Sequence, residues 1–225
     1  MAKWSPIQQL WQRLGRRFGV SEDQIAAHLE TVRSQLPTTE VVLMGKPQSG
    51  KSSIVRGMTG QSAAIVGQGF RPHTQHTVAS IVGSIRGSLA EDPQRSRLFV
   101  LTVKVTDFAT ASLHQIITQL KRDFPHVPCL LAITCLHELY TPPTANHPPY
   151  PPAFGALDQA VEAIQRDFAK LCDRVVLLDF TLPEDDYDPE FYGLDALQTA
   201  FDTLLPEAEA RAIHQLLASD ARGQA

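Results

Sequence analysis

Gly45-Lys46-Pro47-Gln48-Ser49-Gly50-Lys51-Ser52 is the stretch on which the fold turns. It follows an apolar run, Val41–Met44, that reads as a buried strand, and it opens Ser52–Thr59, which reads as a helix. Gly45 and Gly50 permit a turn so tight that backbone N–H groups converge on a phosphate, because glycine alone takes the needed dihedrals without strain. Lys46, Gln48 and Ser49 complete the wrap. In such a loop Lys51 reaches the β- and γ-phosphates of a nucleotide, and the Ser52 hydroxyl binds Mg²⁺. The helix that starts there aims its positive end at the same anion. A glycine turn that binds nothing is the bland alternative, and the position between strand and helix weighs against it.

Outward from the loop, strand and helix patterns alternate. Leu98–Val105, Cys129–Thr134 and Arg174–Phe180 read as strands; Leu113–Phe124, Leu157–Leu171 and Asp195–Leu204 read as helices. Alternation of this kind predicts an α/β fold, a mostly parallel sheet with helices on both faces. The expected layout is a helical extension over residues 1–38, one domain over 39–218 and a frayed tail over 219–225. Tyr140 to Pro152 is rich in proline and threonine and is expected to be a surface loop. Leu182–Tyr192 is an acidic loop carrying Glu184, Asp185, Asp186 and Asp188. The acids of Asp179-Phe180-Thr181-Leu182-Pro183-Glu184-Asp185 read most simply as a solvated turn.

Between Trp4 and Phe18, the residues Trp4, Ile7, Leu10, Trp11, Leu14 and Phe18 recur at three- and four-residue spacing, with Lys3, Arg13, Arg16 and Arg17 and no acid. This is a basic amphipathic helix. It suits an anionic membrane surface or a protein partner, and it equally suits packing back onto its own domain. A second helix opens at Ser21, with Gln24 three places on, and ends at Pro37.

A chain of 225 residues with 43% hydrophobic and 20% charged residues has the composition of one folded domain with a short appendage. Its formal net charge of −4 lacks the overall basic excess of a dedicated nucleic-acid binder, so no DNA partner is expected. Cys129, Cys135 and Cys172 form no CxxC pair, and His73 and His76 flank no cysteine that would complete a zinc set. With neither a long apolar run nor a secretion signal, the expected location is the cytoplasm, or the inner face of the membrane if the Trp4–Phe18 helix docks there.

The run from Gly45 to Gly60 resembles the first nucleotide-binding motif of Era-like and dynamin-like bacterial GTPases, which belong to the three-layer P-loop fold. The resemblance implies GTP or GDP with Mg²⁺ as ligand and places Ser53 near the α-phosphate. Gly67-Gln68-Gly69-Phe70-Arg71-Pro72-His73-Thr74 resembles the switch I element, in which Thr74 would close over Mg²⁺, with Thr77 as fallback. Thr134-Cys135-Leu136-His137 matches the guanine-reading element at Thr134 only: its lysine is replaced by Cys135 and its aspartate by His137. Glu138 is a candidate substitute for the missing acid. Ser84-Ile85-Arg86-Gly87 stands where a strand should end in Asp-x-x-Gly, and serine replaces that aspartate. Asp107, after a good strand, is an alternative metal acid or simply a helix cap. The likeness to an uncharacterised group of such proteins extends to about Leu205, through Thr-x-Leu-His-Glu, Thr-Leu-Pro-Glu-Asp and Tyr-Gly-Leu-Asp-Ala-Leu.

These features predict a guanine-nucleotide-binding switch with weak or lost hydrolysis, since no residue that orients an attacking water can be named. Two rivals remain: an active GTPase or ATPase using Asp107 or Glu138, and a membrane- or partner-docking module in which nucleotide is structural. Many G-domains of the group it resembles pair across the nucleotide, so a homodimer stands beside a monomer as an open alternative.

Overall fold

The computed structural model describes residues 39–60, 78–91, 96–140, 146–153, 155–182, 185 and 187–223. The basic helix over Trp4–Phe18, the helix after Ser21, and the switch-like residues Gly67–Thr74 with Thr77 therefore lie outside the described residues.

Four strands, β1 (Glu40–Gly45), β2 (Arg97–Lys104), β3 (Cys129–Thr134) and β4 (Arg174–Leu177), form one parallel sheet in the order β1-β2-β3-β4. The fold is α/β. Leu98-Phe99-Val100-Leu101 and Cys129-Leu130-Leu131-Ala132-Ile133 are continuous apolar runs, as strands covered on both faces require, and every one of these residues is buried. At the outer strands, Val41 of β1 and Val175 of β4 are exposed.

Strand alternation sends side chains to opposite faces. Leu98, Val100, Leu130 and Ala132 meet Ile54 of helix α1 (Lys51–Thr59) and Leu197, Phe201 and Leu204 of helix α5 (Leu194–Gly223). Phe99, Leu101, Val103, Leu131 and Ile133 meet the other helices: Val82 and Leu89 of α2 (Val78–Glu91), Ile117 and Leu120 of α3 (Ala111–Asp123), and Ile164 and Phe168 of α4 (Gly155–Phe168).

Two readings of the sequence are corrected. Ser84–Gly87 does not end a strand; it lies inside α2. Val78, Ile81, Val82, Ile85 and Leu89 recur at three- and four-residue spacing, and their packing into the core makes this segment a helix. The expected strand Arg174–Phe180 breaks after Leu177. Asp179–Phe180 (β5) leaves the sheet and pairs antiparallel with Phe191–Tyr192 (β6), with Thr181 N–H donating to Glu190 C=O at 3.0 Å. The segment expected to be a surface loop does expose Asn146, Pro149, Tyr150 and Pro151, while the His147 side chain within it is wholly buried. Helix α5 is also longer than the expected Asp195–Leu204: it runs through Pro206 to Gly223.

Candidate functional site

Gly45 closes β1, and Lys46 to Gly50 form the turn into α1. Register places Gly45 beside Thr102 of β2, and the approach is so close that a Cβ on Gly45 would lie 1.9 Å from Thr102 Oγ1. The turn needs two left-handed residues, Gln48 (φ 60°) and Gly50 (φ 77°). At Gly50 that conformation is free of strain; at Gln48, an exposed residue with a side chain, it is uncommon.

Two buried threonines on neighbouring strands anchor the loop. Thr102 Oγ1 donates to Met44 C=O at 3.0 Å, so its single proton is used and Ser49 Oγ donates to it at 2.7 Å. Thr134 Oγ1 donates to Ser49 C=O at 3.1 Å and lies against Gly50. The sequence reading named Thr134 and Ser49 but missed Thr102. The signal available was a lone hydroxyl in the apolar strand Leu98–Val103.

Lys51, Ser52 and Ser53 occupy the first turn of α1. The first backbone bond of the helix is Ile54 N–H to Gly50 C=O at 2.9 Å, so the amides of these three residues have no acceptor within the helix. No side chain caps this end. Lys51 folds over the turn, and its ammonium donates to Gly45 C=O at 2.9 Å and Lys46 C=O at 2.6 Å. Burial holds this ammonium below the ordinary lysine range. The open amides of the helix N-terminus and the Lys51 ammonium thus meet at the carboxyl end of β1.

Lys46 bonds the segment after β2. Its ammonium donates to Asp107 Oδ1 at 2.9 Å and to Ala109 C=O at 2.7 Å. Asp107, a candidate metal acid in the sequence, is engaged by a loop lysine. Glu138, the candidate substitute for a guanine-reading acid, is likewise taken: it pairs with Lys104 at 2.6 Å and accepts from Thr106 Oγ1 at 2.8 Å. Burial pushes the Glu138 carboxyl up, but these hydrogen bonds win and hold it below the ordinary range.

His137 sits in a single 3-10 turn, Leu136–Leu139, launched by Cys135 in the left-handed region (φ 57°). Its side chain is 30% exposed, and its Nδ1 bonds buried Asp179 at 2.7 Å. The same carboxylate accepts the His137 backbone N–H at 2.6 Å. The Asp179 hydrogen bond holds the His137 imidazole above the ordinary histidine pKa, against the opposing effect of burial. Nearby, His147 stacks on Tyr192 with ring centroids 4.4 Å apart and bonds the Tyr140 hydroxyl at 2.8 Å. Asp179 was read as part of a solvated turn; it is an internal anchor that joins the end of β4 to the segment after β3.

Among the described residues, no three His, Cys, Asp or Glu side chains are grouped to hold a metal. Also among the described residues, no helix is long and apolar enough to cross a membrane. Comparison with protein-family models finds no match, and neither does comparison with curated proteins, so the site's chemistry rests on its own geometry.

Proposed function

We propose that this protein binds a nucleotide through the Gly45–Ser52 loop, with the phosphate chain on the amides that open α1 and Mg²⁺ on the Ser52 hydroxyl. The proposed fold is a P-loop domain of the GTPase kind and the proposed ligand is GTP or GDP. One observation carries the reading: a strained turn between a parallel strand and a helix, braced by Thr102 and Thr134, presents unpaired amides and the Lys51 ammonium to one point. Guanine preference follows from the resemblance of Thr134–His137 to a base-reading element. Weak or absent hydrolysis is supported by the engagement of both candidate acids, Asp107 with Lys46 and Glu138 with Lys104. The role is therefore a regulatory binding protein. A part for Thr74 over the γ-phosphate, docking through Trp4–Phe18 and pairing across the nucleotide belong to the same proposal.

The test is titration of nucleotide-free protein with labelled GTP, GDP and ATP, with and without Mg²⁺, beside Lys51→Ala. Guanine-selective, Mg²⁺-dependent binding that drops at least ~100-fold in the variant is expected, the loss of a lysine that contacts charged oxygens. Binding that survives Lys51→Ala, or no binding of any nucleotide, refutes it. Rapid turnover would refute the regulatory half alone.

A further inference from the structure

Of the two loop lysines, Lys51 bonds carbonyls of the turn itself, whereas Lys46 bonds partners outside it. Its ammonium lies 2.9 Å from both carboxylate oxygens of Asp107 and 2.7 Å from the Ala109 carbonyl. Its own carbonyl, meanwhile, accepts the Lys51 ammonium at 2.6 Å. Two cations therefore meet at one residue of the loop, one bound to its backbone and one extending from its side chain.

The hold on Lys46 is weak by construction. Both partners are partly exposed, 31% for the Lys46 side chain and 20% for Asp107, and an ion pair in contact with water contributes little. Asp107 does not depend on it. Its backbone N–H donates to Lys104 C=O at 2.9 Å, and its Oδ1 accepts the Ala109 N–H at 3.1 Å, so the turn after β2 keeps its shape when the lysine leaves. A polyphosphate offers several anionic oxygens where Asp107 offers one carboxylate, so charge-assisted bonds to it would compete for the same ammonium.

We infer that Lys46 is a second cationic contact for a polyphosphate in the Gly45–Ser52 loop, held in reserve by Asp107, which acts as a positioning residue that competes with the ligand. The inference rests on the phosphate-binding reading of the loop. Asp107 on this account lowers affinity in the resting protein, the opposite of a metal-holding acid.

A double-mutant cycle on the full chain decides it: wild type, Asp107→Asn, Lys46→Met and the double variant, each titrated with inorganic tripolyphosphate and with Mg²⁺-GTP. Asparagine keeps the size of the side chain and can still accept the Ala109 N–H; Asp107→Ser serves as a second replacement. Asp107→Asn is expected to tighten both probes roughly 3- to 5-fold when Lys46 is present and to change nothing when residue 46 is methionine. Equal tightening in both backgrounds means that Asp107 acts only through its own charge, and overturns the inference. So does unchanged or weaker binding in Asp107→Asn. If no form binds either probe, the phosphate-loop reading itself falls, and this inference with it.

Discussion

At the scale of single residues, the loop is built by side chains that cannot be exchanged freely. Gly45 has no space for a methyl group, because a Cβ would strike Thr102 Oγ1 and stand 2.6 Å from the Thr102 carbonyl, a backbone atom of the central sheet. Gly45→Ala is expected to destabilise the fold by about 1–3 kcal/mol, read as a lower denaturant midpoint. Gly50→Ala differs in cause. There is room, with Thr134 at ordinary contact distance of 3.5 Å, but φ of 77° costs a side chain about 1–2 kcal/mol. His137 makes stability depend on pH. Its folded pKa is raised by the Asp179 hydrogen bond, so the pair's contribution is complete below the ordinary histidine value of 6.5 and is lost as pH rises through the raised one. Neighbouring His147, whose pKa is lowered by burial, acts with the opposite sign. The difference in melting temperature between wild type and His137→Gln should accordingly be largest on the acid side and shrink toward alkaline pH; a difference that grows with pH would contradict the assignment. Ser49 was legible as a loop residue from spacing, whereas Thr134 was singled out only by its resemblance to a base-reading element and not as a brace of the loop. Thr102 and Asp179 were not legible, because their roles arise from contacts across 58 and 42 positions of chain.

At the scale of elements, α2 is the informative case. The segment Ser84–Gly87 matched part of a strand-end motif, yet the apolar spacing from Val78 to Leu89 governs the outcome, since a short motif carries less burial than four helical turns. Leu89 is 2% exposed, and Leu89→Ala is expected to cost about 2–5 kcal/mol. Ser84 is exposed on the same helix, so Ser84→Ala should change stability by no more than about 0.5 kcal/mol. Parallel denaturation curves for the two variants check the pair, and equal losses would place Ser84 elsewhere. The β5–β6 hairpin shows a second limit of pattern reading. Val175 to Phe180 is uniformly strand-like, but the chain leaves the sheet after Leu177, and Phe180 and Phe191 close over Gly57 of α1, where a Cβ would lie 2.6 Å from the Phe180 ring. Arg56 reinforces this contact: it stacks over Phe191, with its guanidinium carbon 4.8 Å from the ring centroid, donates to Thr181 C=O at 3.1 Å and pairs with Glu190.

For the whole molecule, the loop stands at the carboxyl ends of β1, β2 and β3, and a ligand that binds only the folded chain must stabilise it. At ligand concentrations about 100 times the dissociation constant the gain is about 2.7 kcal/mol, which raises the melting temperature of a domain this size by roughly 5–10 °C. Differential scanning calorimetry with Mg²⁺-GTP checks this, and Lys51→Ala should abolish the shift. The sequence by itself determined the alternation of strands and helices and the position of the glycine turn between β1 and α1, because burial periodicity and glycine conformations are local properties written in neighbouring residues. Only the tertiary structure decided that Thr102 and Thr134 brace the loop, that Asp107 and Glu138 are already paired with lysines, and that Asp179 is an internal anchor. Those are contacts between side chains far apart in the chain, and hydrogen bonds and charge pairs are set by the geometry of packing, which no local pattern contains.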